Sequence, residues 1–233
     1  MALVPAGRYA PMFRAEKSPR EIPVGAFYLD KFPVTNAEFL DFVRANPQWR
    51  RSVLQKTLAD SHYLKLWAAD FEVGLRTASN APVTHVSWFA AKAYCRWKGK
   101  RLPTTLEWEY AAAASPTRAD GENDPDFKRQ VLAWYAQPAP ETLASVGAGR
   151  ANYYGIFDLH SLVWEWVADF QTAMMTTDSR GEAGLEREAF CGAASQGATD
   201  RTDYAAFMRY AFRSSLKPDY TIHNLGFRCA RDL

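Results

Sequence analysis

The groups in this chain that could carry redox or metal chemistry are few: three cysteines, Cys95, Cys191 and Cys229, and four histidines, His62, His85, His160 and His223. A thiolate is both a nucleophile and a soft metal ligand, and imidazole is the usual ligand for borderline metals. No two cysteines form a C-x-x-C pair and no two histidines stand at i, i+4, so a zinc site of either kind is not expected. Taken by themselves, the cysteines allow one disulfide and one spare thiol. The densest set of directional groups lies in FCGAASQGATDRTDYAAFMRYAFRSSL. There Ser195, Asp200, Arg201, Asp203, Tyr204, Arg209 and Arg213 bring hydroxyl, carboxylate and guanidinium together. Guanidinium forks beside carboxylates suit recognition of an anion or a peptide better than redox work.

These groups need elements to hold them. ALVPAGRYAPMF and VGAFYLDKF read as two short strands on either side of a polar stretch. Thr35 and Glu38 form a capping box that opens a helix with Phe39, Leu40, Phe42 and Val43 on one face. A second helix is expected from Ser87 to about Lys98, with Gly99 as its stop, and a third from Thr104, where Glu107 completes another capping box. Asp124 before Pro125 opens a fourth, with Phe127, Val131 and Leu132 apolar. From about Gln171 to Glu188 the pattern fades into what reads as a long loop or lid.

Composition narrows the function classes. The 233 residues are 48% hydrophobic and 23% charged, which fits one globular domain over 1–233 and excludes disorder, coiled coil and collagen. A net charge of +2 is too balanced to carry nucleic acid as a leading partner. No apolar run is long enough for a membrane span, and MALVPAG does not read as a secretory leader; a mature form with its leader removed is the other reading. Eight Trp, 13 Gly and 13 Pro point to a loop-rich domain held by large rings.

Three blocks in fixed order then carry a resemblance: KRLPTTLEWEY, GIFDLHSLVWEW and NLGFRCA. With the opening VPAG and the PVTNAEF helix, they resemble the formylglycine-generating enzymes, or sulfatase-modifying factors, over essentially the whole chain. The resemblance implies an α+β fold, a single compact domain related to C-type lectins with little regular secondary structure. It also implies oxidation of a substrate cysteine by a Cu(I) site built on two cysteines a few residues apart. In this chain Asp200 and Ala205 fall near those two places, so that activity is not expected.

The same resemblance implies a disulfide between Cys95 and Cys229, with Cys191 free, and hence an oxidising compartment, periplasmic or secreted. Two buried reduced cysteines are the alternative. It implies calcium near the VWEW block as well, where Glu165 is retained, Leu162 replaces an asparagine ligand, and Asn152 and Asp158 offer further oxygens. The plainer reading makes Trp164 and Trp166 core and pairs Glu165 with an arginine. His85 and His160 read as hydrogen-bonded core histidines. His223, beside NLGFRC, could join Cys191 or Asp200 in a site for a transition metal, copper or iron. Ser195, Asp200, Arg201, Tyr204, Arg209 and Arg213, with His223 opposite, are the expected groove. The expected role is a ligand- or protein-binding accessory factor, with a protein or peptide partner. Wider sequence pattern resembles a branch of accessory proteins encoded near copper nitrite reductases, so the expected role includes support of such a metalloenzyme; the alternative is a metal-dependent oxidase with a redesigned groove.

Overall fold

The computed structural model describes residues 1–13, 19–75, 77–121, 124–171 and 204–233. Each of the two expected strands is broken in the middle. Ala2–Val4 (β1) continues past Pro5 into Gly7–Tyr9 (β2), and Ile22–Val24 (β3) continues past Gly25 into Phe27–Leu29 (β4). β1 pairs with β4 and β2 with β3, both antiparallel, so the two stretches form one long ribbon bent at Pro5 opposite Gly25. Proline has no N–H for the ladder, and an interrupted ladder is where such a ribbon bends. The last strand, Ala230–Asp232 (β9), pairs with the other edge of β4, giving a three-stranded sheet in the order β1-β4-β9.

The helices begin where the capping residues place them. Asn36–Ala45 (α1) has the reciprocal Thr35–Glu38 box, and Thr105–Ala112 (α3) has the reciprocal Thr104–Glu107 box. Trp88–Trp97 (α2) starts on the Ser87 hydroxyl and stops before Gly99, whose φ of +68° glycine adopts without a Cβ penalty. Pro125–Tyr135 (α4) starts on Asp124, which accepts the N–H groups of Asp126 and Phe127. Trp67–Ala69 (β5) and Glu72–Val73 (β6) make a small hairpin.

The core sits between α1, α2 and the C-terminal strands. Tyr94 of α2 stacks on Phe39 at 5.8 Å and meets Phe227 edge-on at 5.4 Å. Phe227 belongs to Leu225–Phe227 (β8), which runs parallel to Trp164–Trp166 (β7). Buried Asn36 closes this core by donating to the carbonyls of Ala81 and Pro82 while its own oxygen accepts the Trp67 indole N–H. All of its strong polar atoms are therefore satisfied, as a buried amide requires. Cys95 on α2 is bonded to Cys229 in the turn between β8 and β9, and both residues are fully buried.

A fifth helix, Tyr204–Ser215 (α5), was not expected from the sequence. Its buried positions, Ala205, Ala206, Arg209, Tyr210 and Arg213, do recur at helical spacing, but two of them are arginines. A hydrophobicity pattern scores those two as surface and loses the face. Among the described residues, no helix is long and apolar enough to cross a membrane.

The Cys95–Cys229 bond closes a loop of 134 residues. Chain entropy alone gives such a cross-link about 5 kcal/mol. Peptide mapping without reduction is expected to recover the Cys95–Cys229 pair with Cys191 alkylated, and Cys95→Ala is expected to lower stability by about that amount in urea titration. Recovery of Cys191 paired with either partner would contradict both the pairing and the topology.

Candidate functional site

The site is built outward from α3. Glu109 lies on its inner face at 1% exposure, where an unpaired carboxylate would be costly. Arg209 and Arg213, one turn apart on α5, close on it: Arg209 Nε and Nη2 reach its oxygens at 2.9 and 2.7 Å, and Arg213 Nη1 at 2.5 Å. Burial pushes the Glu109 carboxyl up, but the two guanidinium charges outweigh it and hold the pKa at about 2. The set carries one surplus positive charge. The Trp108 ring, 4.7 Å from the Arg213 guanidinium carbon, offers its negative face to it.

Trp108 also reaches the other way. Its indole N–H donates to Glu165 Oε2 at 2.7 Å, and Glu165 is held in a forked pair by Arg228 Nε and Nη2. Arg228 has no exposed surface, and its other donors go to the carbonyls of Asp30, Lys31 and Phe157. The carboxylate expected to hold calcium is thus neutralised by a guanidinium instead. Asn152 is engaged in its own turn, donating to Ala111 O and accepting from the N–H groups of Tyr154 and Ile156. Asp158 faces a different space, described below. These three residues do not fit a calcium ion, which needs six to eight oxygens turned toward one point. Among the described residues, no three His, Cys, Asp or Glu side chains could hold a metal.

The expected groove is redistributed in the same way. Arg209 and Arg213 lie beneath the surface, at 6% and 4% exposure, because their charges are needed by Glu109. Tyr204 is the exposed first residue of α5 and, with Ala205 and Arg209, lines a cavity of about 50 Å³ against Val131 of α4. Ser195, Asp200, Arg201 and Cys191 lie outside the described residues. His223 lines neither this cavity nor the larger one beside it. Burial, and after it the nearness of His223, Lys65 and His62, lowers the pKa of His85, so three histidines that look scattered in sequence share one locality. Segments 60–65 and 219–223 are tied there by Asp60, which accepts from Thr221 N and from the Thr221 hydroxyl.

His160 joins the small cavity to one of about 520 Å³ between α4, the end of α3 and residues 149–161. Its Nε2 is 2.9 Å from Ala112 O, and its ring meets Trp108 and Phe127 edge-on. Among the described residues Nδ1 is buried without a partner, and Nε2, facing a carbonyl, donates, so the ring is a neutral tautomer. Burial, then the charge of Arg209, pushes its pKa down to about 4. His160 fulfils the expectation of a bonded core histidine through Nε2 alone. Glu109, Trp108 and Arg228 were missed as positioning residues; the one trace of them in the sequence is two carboxylates, in EWEY and VWEW, inside otherwise apolar blocks.

The whole chain, residues 1–233, matches the family of the sulfatase-modifying factor enzyme 1-like domain. It is 28% identical to the formylglycine-generating enzyme of Mus musculus, with 100% of this chain and 75% of that protein covered. It is 31% identical to the inactive C-alpha-formylglycine-generating enzyme 2 of Bos taurus, covering 99% and 87%. The solved structure of PvdO from Pseudomonas aeruginosa matches with a TM-score of 0.57 at 20% identity, covering 99% of this chain and 93% of that one, a likeness of fold.

Two measurements test the buried charges. Glu109→Gln leaves both guanidiniums without their counter-charge and is expected to cost about 3–5 kcal/mol in urea titration; a change near zero would show that the pair is not needed. The second concerns pH. His85 and His160 have folded pKa values of about 4, below the 6.5 of an unperturbed histidine. Between those values the unfolded chain binds more protons, so stability rises with pH there and is lost as pH falls from about 6.5 toward 4. The slope of melting temperature in that window is expected to shrink in His160→Gln, and an unchanged slope would contradict the assignment.

Proposed function

This chain belongs to the sulfatase-modifying factor family, and on that premise we propose that it binds a ligand or protein partner and does not oxidise a substrate cysteine. The observation that carries the reading is the thiol inventory. The chain has three cysteines, and two of them, Cys95 and Cys229, are consumed in a buried disulfide. Cys191 is then the one thiol left, and one thiolate cannot furnish a two-thiolate Cu(I) centre. Ala205, near one of the two places where the family resemblance expects a cysteine, is buried and lines the small cavity with an inert methyl group. The residues present therefore do not fit that copper site. The similarity to a relative designated inactive supports the same direction.

In this reading the cleft between α4, α5 and residues 149–161 is the binding surface. Its arginines and Glu109 lie below it and hold its walls in register. The partner we propose is a metalloenzyme outside the cytoplasm, with copper nitrite reductase the choice that the sequence pattern favours. Ser195, Asp200 and Arg201, which precede α5 in the sequence, complete this proposal.

Incubation with a sulfatase-type cysteine peptide, Cu(I) and oxygen is expected to give no aldehyde by mass spectrometry, and biolayer interferometry is expected to show saturable binding to copper nitrite reductase. Copper-dependent aldehyde formation would overturn the proposal. Stoichiometric tight copper or iron, together with oxidation of an added substrate, would replace it with a metal-dependent oxidase.

A further inference from the structure

We propose that the cavity of about 520 Å³ beside His160 is a binding site for a small zwitterion, an ammonium and a carboxylate on one molecule. The proposal rests on the binding reading above and gives that site a ligand class. The volume lies within the roughly 300–1,000 Å³ of small-molecule sites. The walls are mixed, with apolar Phe127 and Val131 beside charged groups, so the ligand must bring polar atoms as well as bulk.

Elimination identifies which polar groups have capacity to spare. Asp124 is committed to the N–H groups that open α4, and Asp126 to Arg129. Asn152 is committed to its turn on both its oxygen and its nitrogen. Asp158 differs. It is 5% exposed, yet its carboxylate accepts two bonds, from Gly147 N at 2.6 Å and from the Ser161 hydroxyl at 3.4 Å. A carboxylate can accept about four, so it retains room for a donor. Its backbone has a φ of +63°, in the left-handed region that aspartate visits more readily than most residues. Gly149 lies beside the carboxylate: a Cβ there would stand 3.6 Å from Asp158 Oδ1, in van der Waals contact. Burial raises the pKa of this carboxyl, with the Gly147 N–H and the charge of Arg228 opposing.

The opposite charge comes from Arg150, next to Gly149. Among the described residues it makes no ion pair, and it lines the same cavity. A guanidinium with free N–H groups is a carboxylate receptor. Trp134 contributes an aromatic wall suited to an ammonium group. One cavity therefore has a buried carboxylate and an exposed guanidinium among its lining residues, and a zwitterion satisfies both without leaving net charge.

The test uses the full-length protein and L-alanyl-L-alanine as probe in titration calorimetry. Saturable binding is expected, with the N-acetyl and the C-amide forms each about tenfold weaker or more. Arg150→Gln is expected to abolish the difference between the free acid and the amide, and Asp158→Asn the difference between the free amine and its acetyl form. Asparagine tolerates positive φ and still accepts from Gly147, so the second variant preserves the turn. Should it nevertheless unfold, exposed Arg150 carries the test alone. No saturable binding, or equal binding of the capped forms, overturns the proposal. Dependence on one end only also overturns it, in favour of a chain terminus. Any of these results with nitrite reductase still bound removes the zwitterion site and leaves the binding role; loss of nitrite reductase binding with dialanine retained does the reverse.

Discussion

Two adjacent residues of α3 tie the molecule together. Trp108 donates its indole N–H to Glu165, and Glu109 takes the guanidiniums of Arg209 and Arg213. The first contact reaches the parallel pair β7–β8 through Arg228, and the second fixes α5. Both ion pairs are out of water, where the cost of stranding a charge far exceeds the gain from an intact pair. The consequence is geometric rather than simply energetic: α5 and β8 have one position each in which no charge is left alone. The Trp108 ring, against Arg213, absorbs the positive charge left over.

That network explains why the cleft surface differs from a groove lined by arginines. A guanidinium required by a buried carboxylate is unavailable to a ligand, so Arg209 and Arg213 shape the floor and leave recognition to groups with spare capacity. Around the larger cavity these are Asp158 and Arg150. Their placement follows from the turn at Asn152, whose side chain organises three backbone groups, and from the glycines at 147 and 149. The small cavity has the methyl group of Ala205 near one place where the family resemblance sets a cysteine, with Tyr204, His160 and Arg209 among its other walls.

The disulfide acts at a second point of the same frame. Cys229 leads into β9, which completes the three-stranded sheet on the edge of β4 away from β1. With Cys95 on α2, it couples the aromatic core of Phe39, Tyr94 and Phe227 to the strand that carries Arg228 at its exit. Core packing, covalent closure and the buried ion pairs thus converge on the short stretch from Leu225 to Ala230.

The amino-acid order determined by itself those features that depend on near neighbours. Four helix starts were legible because capping is a contact of three residues, as at Thr35 with Glu38, and the family blocks were legible because they are contiguous. What only the tertiary structure decided depends on partners about 60 to 100 residues away. Glu165 looks like a metal ligand until Arg228 neutralises it, and Arg209 looks like a surface group until Glu109 does the same. α5 was hidden for that reason, since two of the residues on its buried face are arginines, which a hydrophobic pattern assigns to the surface. A charged residue's environment is set by the charge folded against it, and one sequence pattern serves both an open groove and a closed ion pair.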